Sequence, residues 1–178
     1  APGGAPANVA VGLSRLGVRT GFIGKVGDDE FGYCLAQTLR ENKVDISQLH
    51  YETKAKTTLA FVSLKRDGER SFMFYRDPGA DMLLSQEEID EDYIHQANIF
   101  HYGSITLISE PSRSATLLAA KRSLEGGLLV SYDPNLRLNL WDSVEHAKAE
   151  IKNGLKYANL VKVSEEELEF ITGIKDLK

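Results

Sequence analysis

The sequence predicts an α/β fold: a mostly parallel sheet crossed by helices, with a small antiparallel β lid appended to it. Three observations carry this. From residue 98 onward, short apolar runs alternate with helical patterns, which is the spacing of a parallel sheet with crossover helices. Residues 128–132 read as one apolar run, as expected of a parallel strand buried on both faces. Residues 57–76 place β-branched and aromatic residues on both sides of Arg66-Asp67-Gly68-Glu69, and Asp-Gly is a strong short-range hairpin signal.

The elements follow in order. Val9, Ala10, Leu13 and Leu16 recur at helical spacing after Pro6, and Gly17 suits the helix end. Residues 20–26 read as a strand. Asp28 or Asp29 caps a helix to about Asn42, with Phe31, Cys34, Leu35 and Leu39 as its expected apolar face. The hairpin over about 57–76 comes next. Both of its faces are apolar, so it needs a cover; a second copy of the chain is the expected one. Ser85 and Glu88 have capping-box spacing and open a helix. A strand near 98–102, a helix from Pro111 to about Leu124 and the strand at 128–132 follow. Helix 143–157 carries Val144, Ala147, Ile151 and Leu155 on one face. A strand at 160–163 and a helix over about 164–171 end the chain.

At 178 residues the chain is one domain by length. Its net charge of −5 and lack of a basic stripe argue against a nucleic-acid partner. Its apolar runs are far too short to span a membrane. It has one cysteine, Cys34, and no basic segment leading into an apolar one, so the expected compartment is the cytoplasm. It begins Ala1-Pro2-Gly3-Gly4 and stops after a helix. The expectation is a domain incomplete at both ends.

Parallel sheets bind ligands at the carboxyl ends of their strands. Four clusters fall there or in equivalent loops. Gly3-Gly4-Ala5-Pro6-Ala7-Asn8 lets a ligand approach the backbone at a helix start, and the Asn8 amide suits a hydroxyl. A glycine-rich turn accounts for the same residues. Asp133-Pro134-Asn135-Leu136-Arg137 follows the apolar strand and offers an arginine fork for a phosphate. An Asx turn beside a surface arginine fits equally. Ser164-Glu165-Glu166-Glu167 has capping-box spacing, which is a sufficient structural explanation, and it also places a carboxylate where Mg²⁺ is held through water. Tyr75-Arg76 leaves the hairpin, and a moving lid could carry Arg76 to a substrate. No P-loop is present: Gly24-Lys25 is followed by Val26. The four histidines have no metal-ligand spacing.

Taken together, these motifs resemble the PfkB (ribokinase-like) carbohydrate kinases. Gly3-Gly4 to Asn8, Gly17, Gly27-Asp28-Asp29-Glu30-Phe31-Gly32, Phe74-Tyr75-Arg76, Phe100-His101-Tyr102-Gly103-Ser104 and Asp133-Pro134-Asn135-Leu136-Arg137 carry the likeness along the whole chain. Among the subgroups it looks most like fructokinases. The resemblance implies a three-layer α/β/α fold with a β-sheet lid, ATP and Mg²⁺ as cofactors, and transfer of the γ-phosphoryl group to a sugar hydroxyl, making fructose 6-phosphate from fructose. It implies sugar contacts at Gly3, Gly4, Asn8, Tyr75, Arg76 and Arg137, a catalytic part for Arg137, and phosphate contacts at Lys162 and Glu167. Glu167 would reach the metal through water. Ser164 stands where the family's motif has Asn. The family's base Asp and the strand carrying a sugar-binding Asp have no counterpart here, so the 178 residues by themselves are expected to be inactive. Rival readings are 2-keto-3-deoxygluconate kinase, ribokinase and nucleoside kinase. A non-catalytic scaffold of the same family is the rival from another class.

Overall fold

The protein is described by a computed structural model, which covers residues 1–64 and 70–175, with side chains at 63–72 left aside. The Asp67-Gly68 turn expected of the hairpin lies outside the described residues. The chain divides into two compact units, Ala1–Gly3 with Ala10–Leu84 and Gly4–Val9 with Ser85–Lys178. Helix α1 (Ala5–Arg15) gives its first residues to the second unit and the rest to the first.

In the first unit, β1 (Gly24–Gly27) pairs in parallel with β2 (Leu49–Glu52), and α2 (Glu30–Glu41) lies between them in sequence. Asp29 caps α2 by accepting the Gly32 N–H at 2.9 Å, satisfying an N-terminal donor the helix itself cannot. The buried face of α2 is Gly32, Ala36 and Leu39. Phe31 and Cys34, expected on that face, are exposed. Of the α1 residues at apolar spacing only Ala10 is buried, and Leu16 is 81% exposed. The helical periods were read correctly from the sequence, but the buried stripe on each helix is narrower than hydropathy implies. Strands β3 (Leu59–Leu64) and β4 (Arg70–Tyr75) form the antiparallel hairpin, with Leu59 opposite Tyr75 and Phe61 opposite Met73.

The second unit holds α3 (Glu91–Ile94), β5 (Ile99–Tyr102), α4 (Ser112–Glu125), β6 (Leu129–Tyr132), α5 (Val144–Leu155), β7 (Leu160–Val161) and α6 (Glu165–Thr172). The strand order is β5-β6-β7 and both pairings are parallel, with α4 and α5 as the crossovers. The core gathers Tyr102, Leu107, Val130, Tyr132 and Ile151. Tyr102 and Tyr132 stack with ring centroids 4.6 Å apart. Gly154 lies against them: its carbonyl accepts the Tyr102 hydroxyl at 2.6 Å, and a Cβ there would sit 2.9 Å from the Tyr132 ring. Burial raises both phenol pKa values well above their ordinary range. Strand β6 was expected to be buried on both faces. Within this unit only the Val130 and Tyr132 face is covered, and Leu129 is 41% exposed.

Candidate functional site

The carboxyl ends of β5, β6 and β7 bring two of the four sequence clusters and the Gly103-Ser104 stretch into one unit. Strand β5 runs into Gly103-Ser104, β6 into Asp133–Arg137, and β7 into Lys162-Val163-Ser164. The loop after β6 is tied at nearly every residue. The Asp133 N–H donates to the Tyr102 carbonyl at 3.1 Å. The Pro134 carbonyl accepts both the Ser104 hydroxyl at 2.6 Å and the Ser104 N–H at 3.2 Å. Asn135 adopts φ 44°, a left-handed conformation that Asn tolerates better than most residues, and its N–H donates to Asp133 Oδ1 at 3.1 Å. The expected Asx turn is therefore present. Backbone packs closely here: a Cβ on Gly103 would lie 3.2 Å from the Asp133 carbonyl oxygen.

Arg137, half-buried, turns its Nη1 onto the carbonyls of Leu136 at 2.9 Å and Asn135 at 3.5 Å. Lys162 is exposed and pairs with Asp133 Oδ2 at 3.2 Å. Glu167 is half-buried, and each of its oxygens accepts a backbone N–H: Oε2 from Ser164 at 2.8 Å and Oε1 from Leu136 at 2.7 Å. The expected capping box at Ser164 is complete, since Ser164 Oγ in turn accepts the Glu167 N–H at 3.2 Å. On the same sheet, His101 Nδ1 lies 3.1 Å from Ser131 Oγ. Burial pulls the His101 pKa below its usual value, and the Asp133 charge opposes that.

Gly4 has φ 112°, in the left-handed region that favours glycine, and its carbonyl accepts the Asn8 N–H at 2.9 Å. Gly4 and Asn8 are exposed members of the second unit, whereas Gly3 groups with the first.

Tyr75 and Arg76 also belong to the first unit. Tyr75 is 62% exposed and meets Phe61 edge-on at 5.4 Å. Arg76 is not presented to solvent. Its side chain is 4% exposed, and its guanidinium binds Asp81 Oδ2 through Nε at 2.8 Å and Nη2 at 2.7 Å. Asp81 also accepts the Thr58 hydroxyl. This pair spans the Pro78-Gly79 turn five residues apart, a spacing that no strand or helix period would flag.

A family model described as "pfkB family carbohydrate kinase" matches residues 1–178. The chain belongs to that family. It is 56% identical over 176 residues to "Probable fructokinase-6, chloroplastic" of Arabidopsis thaliana, covering 99% of this chain and 46% of that protein. The crystal structure of a fructokinase from Xylella fastidiosa with bound ATP superposes with a TM-score of 0.90 at 40% identity, over 96% of this chain and 52% of the other. A Vibrio cholerae fructokinase in a fructose, ADP and calcium ion bound form gives 0.89 at 40% identity, over 98% and 56%. The fold is thus the ribokinase-like α/β architecture expected from the sequence. The chain spans about half the length of the curated relatives it matches.

Within this pfkB chain, the Gly27–Gly32 motif has a structural partner that sequence reading missed. Asp29 accepts the Thr57 N–H at 2.9 Å and the Thr57 hydroxyl at 2.8 Å besides its cap on α2. Thr57 Oγ1 in turn accepts the Gly27 N–H at 2.9 Å. The base of the hairpin is so bonded to the start of α2. Burial raises the Asp29 pKa, but the donors from Thr57 and Gly32 and the Lys56 charge outweigh it, and the net value falls below the ordinary 3.8. A depressed folded-state pKa adds stability above the unfolded value that is lost as pH falls through the folded one. Asp29→Ala is therefore expected to cost ~2 kcal/mol near neutral pH, from the lost cap and hairpin bonds. The gap from wild type should narrow below pH 3.8. Urea unfolding across that range checks it; a gap independent of pH would remove the charge from the argument.

The donor set also bears on the groups a pfkB kinase uses. Among the described residues no three His, Cys, Asp or Glu side chains converge as metal ligands. The Glu167 and Asp133 carboxylates at this sheet edge are the groups that would hold, through water, a cation carried in with nucleotide. The exposed Lys162 ammonium and the Arg137 fork fit phosphate oxygens.

Proposed function

We propose that the chain forms part of an ATP-dependent sugar kinase whose acceptor is fructose. The observation that carries this is the gathering of Arg137, Lys162, Asp133 and Glu167 at the carboxyl edge of β5–β7, where open parallel sheets bind ligands. The fructokinase names of the relatives support the acceptor. In this reading Gly4 and Asn8 of the second unit serve the sugar. Gly3, Tyr75 and Arg76 of the first unit keep the sugar roles that the family resemblance implies, and Arg76 takes its role only by exchanging Asp81 for substrate. Arg137 holds the phosphoryl group in flight, Lys162 meets nucleotide phosphate, and Glu167 reaches Mg²⁺ through water. Bound ATP and its cation supply the phosphoryl group and charge neutralisation; the side chains position and stabilise.

The test uses a chain extended to the relatives' length, with fructose, ribose, 2-keto-3-deoxygluconate and a nucleoside as acceptors. Fructose is expected to give the highest kcat/KM, by about tenfold or more, since a site built for particular hydroxyls rejects analogues that leave its polar groups unpaired. A different preferred acceptor would reassign the substrate. No turnover with any of them would favour a binding or scaffold role.

The hairpin is proposed as a lid and as the contact of a homodimer. Phe61, Val62, Met73 and Tyr75 are all more than half exposed, and they lie on both faces of a two-stranded ribbon. A ribbon of this kind is marginal in water unless covered, and a two-fold contact covers two at once. Phe61→Glu is expected to convert the dimer to monomer in sedimentation; an unchanged sedimentation coefficient would refute the contact. A cytosolic location completes the proposal, and fractionation against a plastid marker tests it, because one relative bears the word chloroplastic in its name.

A further inference from the structure

We propose that Glu167 is a positioning residue: it fixes the loop that carries Arg137. The inference rests on the reading of Arg137 given above, but its structural half stands apart from it.

A capping box needs one carboxylate oxygen, returned to the N-cap N–H. Glu167 Oε2 does this with Ser164. The second oxygen is surplus to the helix, and it binds the N–H of Leu136, 31 residues away in sequence. Two outward-facing donors from two separate elements thus converge on one side chain. Only a carboxylate answers both with acceptors. A glutamine of the same length has one oxygen and one NH₂, so in either orientation it sets a donor against one of the two N–H groups.

The consequence falls on Arg137. Its guanidinium leans on the carbonyl of Leu136, the residue whose N–H Glu167 holds. Upstream, the loop is tied by Ser104 at Pro134 and by Asp133 at Asn135. The Leu136 tie is the last of these before Arg137, and it is made by a side chain from outside the loop. Glu167 is half-buried, so water replaces it poorly. If the tie is lost, Leu136 is free to turn, and the arginine's backbone support turns with it.

Amide hydrogen exchange on this chain reads the structural half directly. Glu167→Gln is expected to speed exchange at Leu136 about tenfold, the effect of losing one charge-assisted bond, with the α5 amides unchanged. Ser164→Ala weakens the cap of α6 while leaving the Leu136 acceptor in place, and is expected to alter Leu136 exchange by less than about twofold. Unchanged Leu136 protection in Glu167→Gln, or equal loss in Ser164→Ala, overturns the proposal. Kinetics on the chain of the relatives' length read the other half. If Glu167 acts through Arg137, Glu167→Gln adds less than about threefold to the kcat loss of Arg137→Lys. Losses that multiply overturn it, because they make the effect of Glu167 on turnover independent of Arg137. A parent chain without turnover defeats the kinase reading instead, and the exchange result still decides the positioning of the loop.

Discussion

Arg137→Lys is expected to cost ~2–4 kcal/mol of transition-state stabilisation in the proposed phosphoryl transfer, the scale for losing one preorganised donor. The loss should appear in kcat, with KM for fructose little changed. Arg137 follows β6 directly, at the sheet edge where ligands bind. Its planar fork leans on its own loop through Nη1, which holds the guanidinium plane in place. Lysine keeps the charge but has neither the plane nor the bracing, so its charge arrives in no fixed place. A charge that must be positioned where negative charge is redistributed contributes to the rate only if it needs no reorganisation at that moment. Steady-state kinetics of Arg137→Lys and Arg137→Ala, with fructose and ATP varied separately, decide the matter. A raised KM at constant kcat would make Arg137 a substrate clamp. No change in either constant would leave a surface arginine at the end of an Asx turn.

The sequence disclosed most where one local rule acts alone. The capping box at Ser164, the Asp29 cap, the hairpin strands and the alternation of β5–β7 with α4 and α5 all appear where periodicity and turn chemistry place them. It disclosed least where two rules compete or where the partner is remote. Glu88 does accept the Ser85 N–H at 2.9 Å, but the Ser85 side chain gives no cap, and only a short 3₁₀ turn over Gln86–Glu88 follows. Asp90 then caps, accepting the Tyr93 N–H at 3.0 Å, and starts α3 afresh. The strand expected over 20–26 is confined to Gly24–Gly27. Its neighbour β2 was not foreseen, because only Leu49 of its four residues is buried and no alternation shows. The site divides the same way. Arg137 and Glu167 were legible as candidates from their position after strands, and Lys162 from the family resemblance. Their mutual ties to Asp133 and Leu136 were not, because a side chain's partner some 30 residues away leaves no spacing to read. Arg76 shows the converse: motif position made it a ligand candidate, while its surroundings bury it against Asp81.

That burial leads to the second large effect. Asp81→Ala is expected to destabilise the chain by ~2–4 kcal/mol, more than a surface ion pair is worth. The Arg76 side chain is 4% exposed, so its charge cannot recover hydration when the carboxylate goes. The pair is asymmetric, since Asp81 is 29% exposed, and the cost is accordingly placed below that of a fully buried pair. Thr58 loses its acceptor in the same step. The damage should be concentrated at the hairpin base, where Ala80 N–H donates to the Lys56 carbonyl at 2.9 Å and Lys56 bridges Gly79. Packing is close there, since a Cβ on Gly79 would meet Thr58, Asp81 and the Arg76 stem. The discriminating partner is the double variant Arg76→Met with Asp81→Leu, which removes both charges and keeps apolar volume. If the cost of Asp81→Ala is that of a buried cation that has lost its carboxylate, the double variant regains more than about half of it. Denaturant unfolding of the three proteins at neutral pH makes the comparison. If the double variant is as unstable as Asp81→Ala or worse, the hairpin base depends on the hydrogen bonds themselves and the buried-charge argument fails.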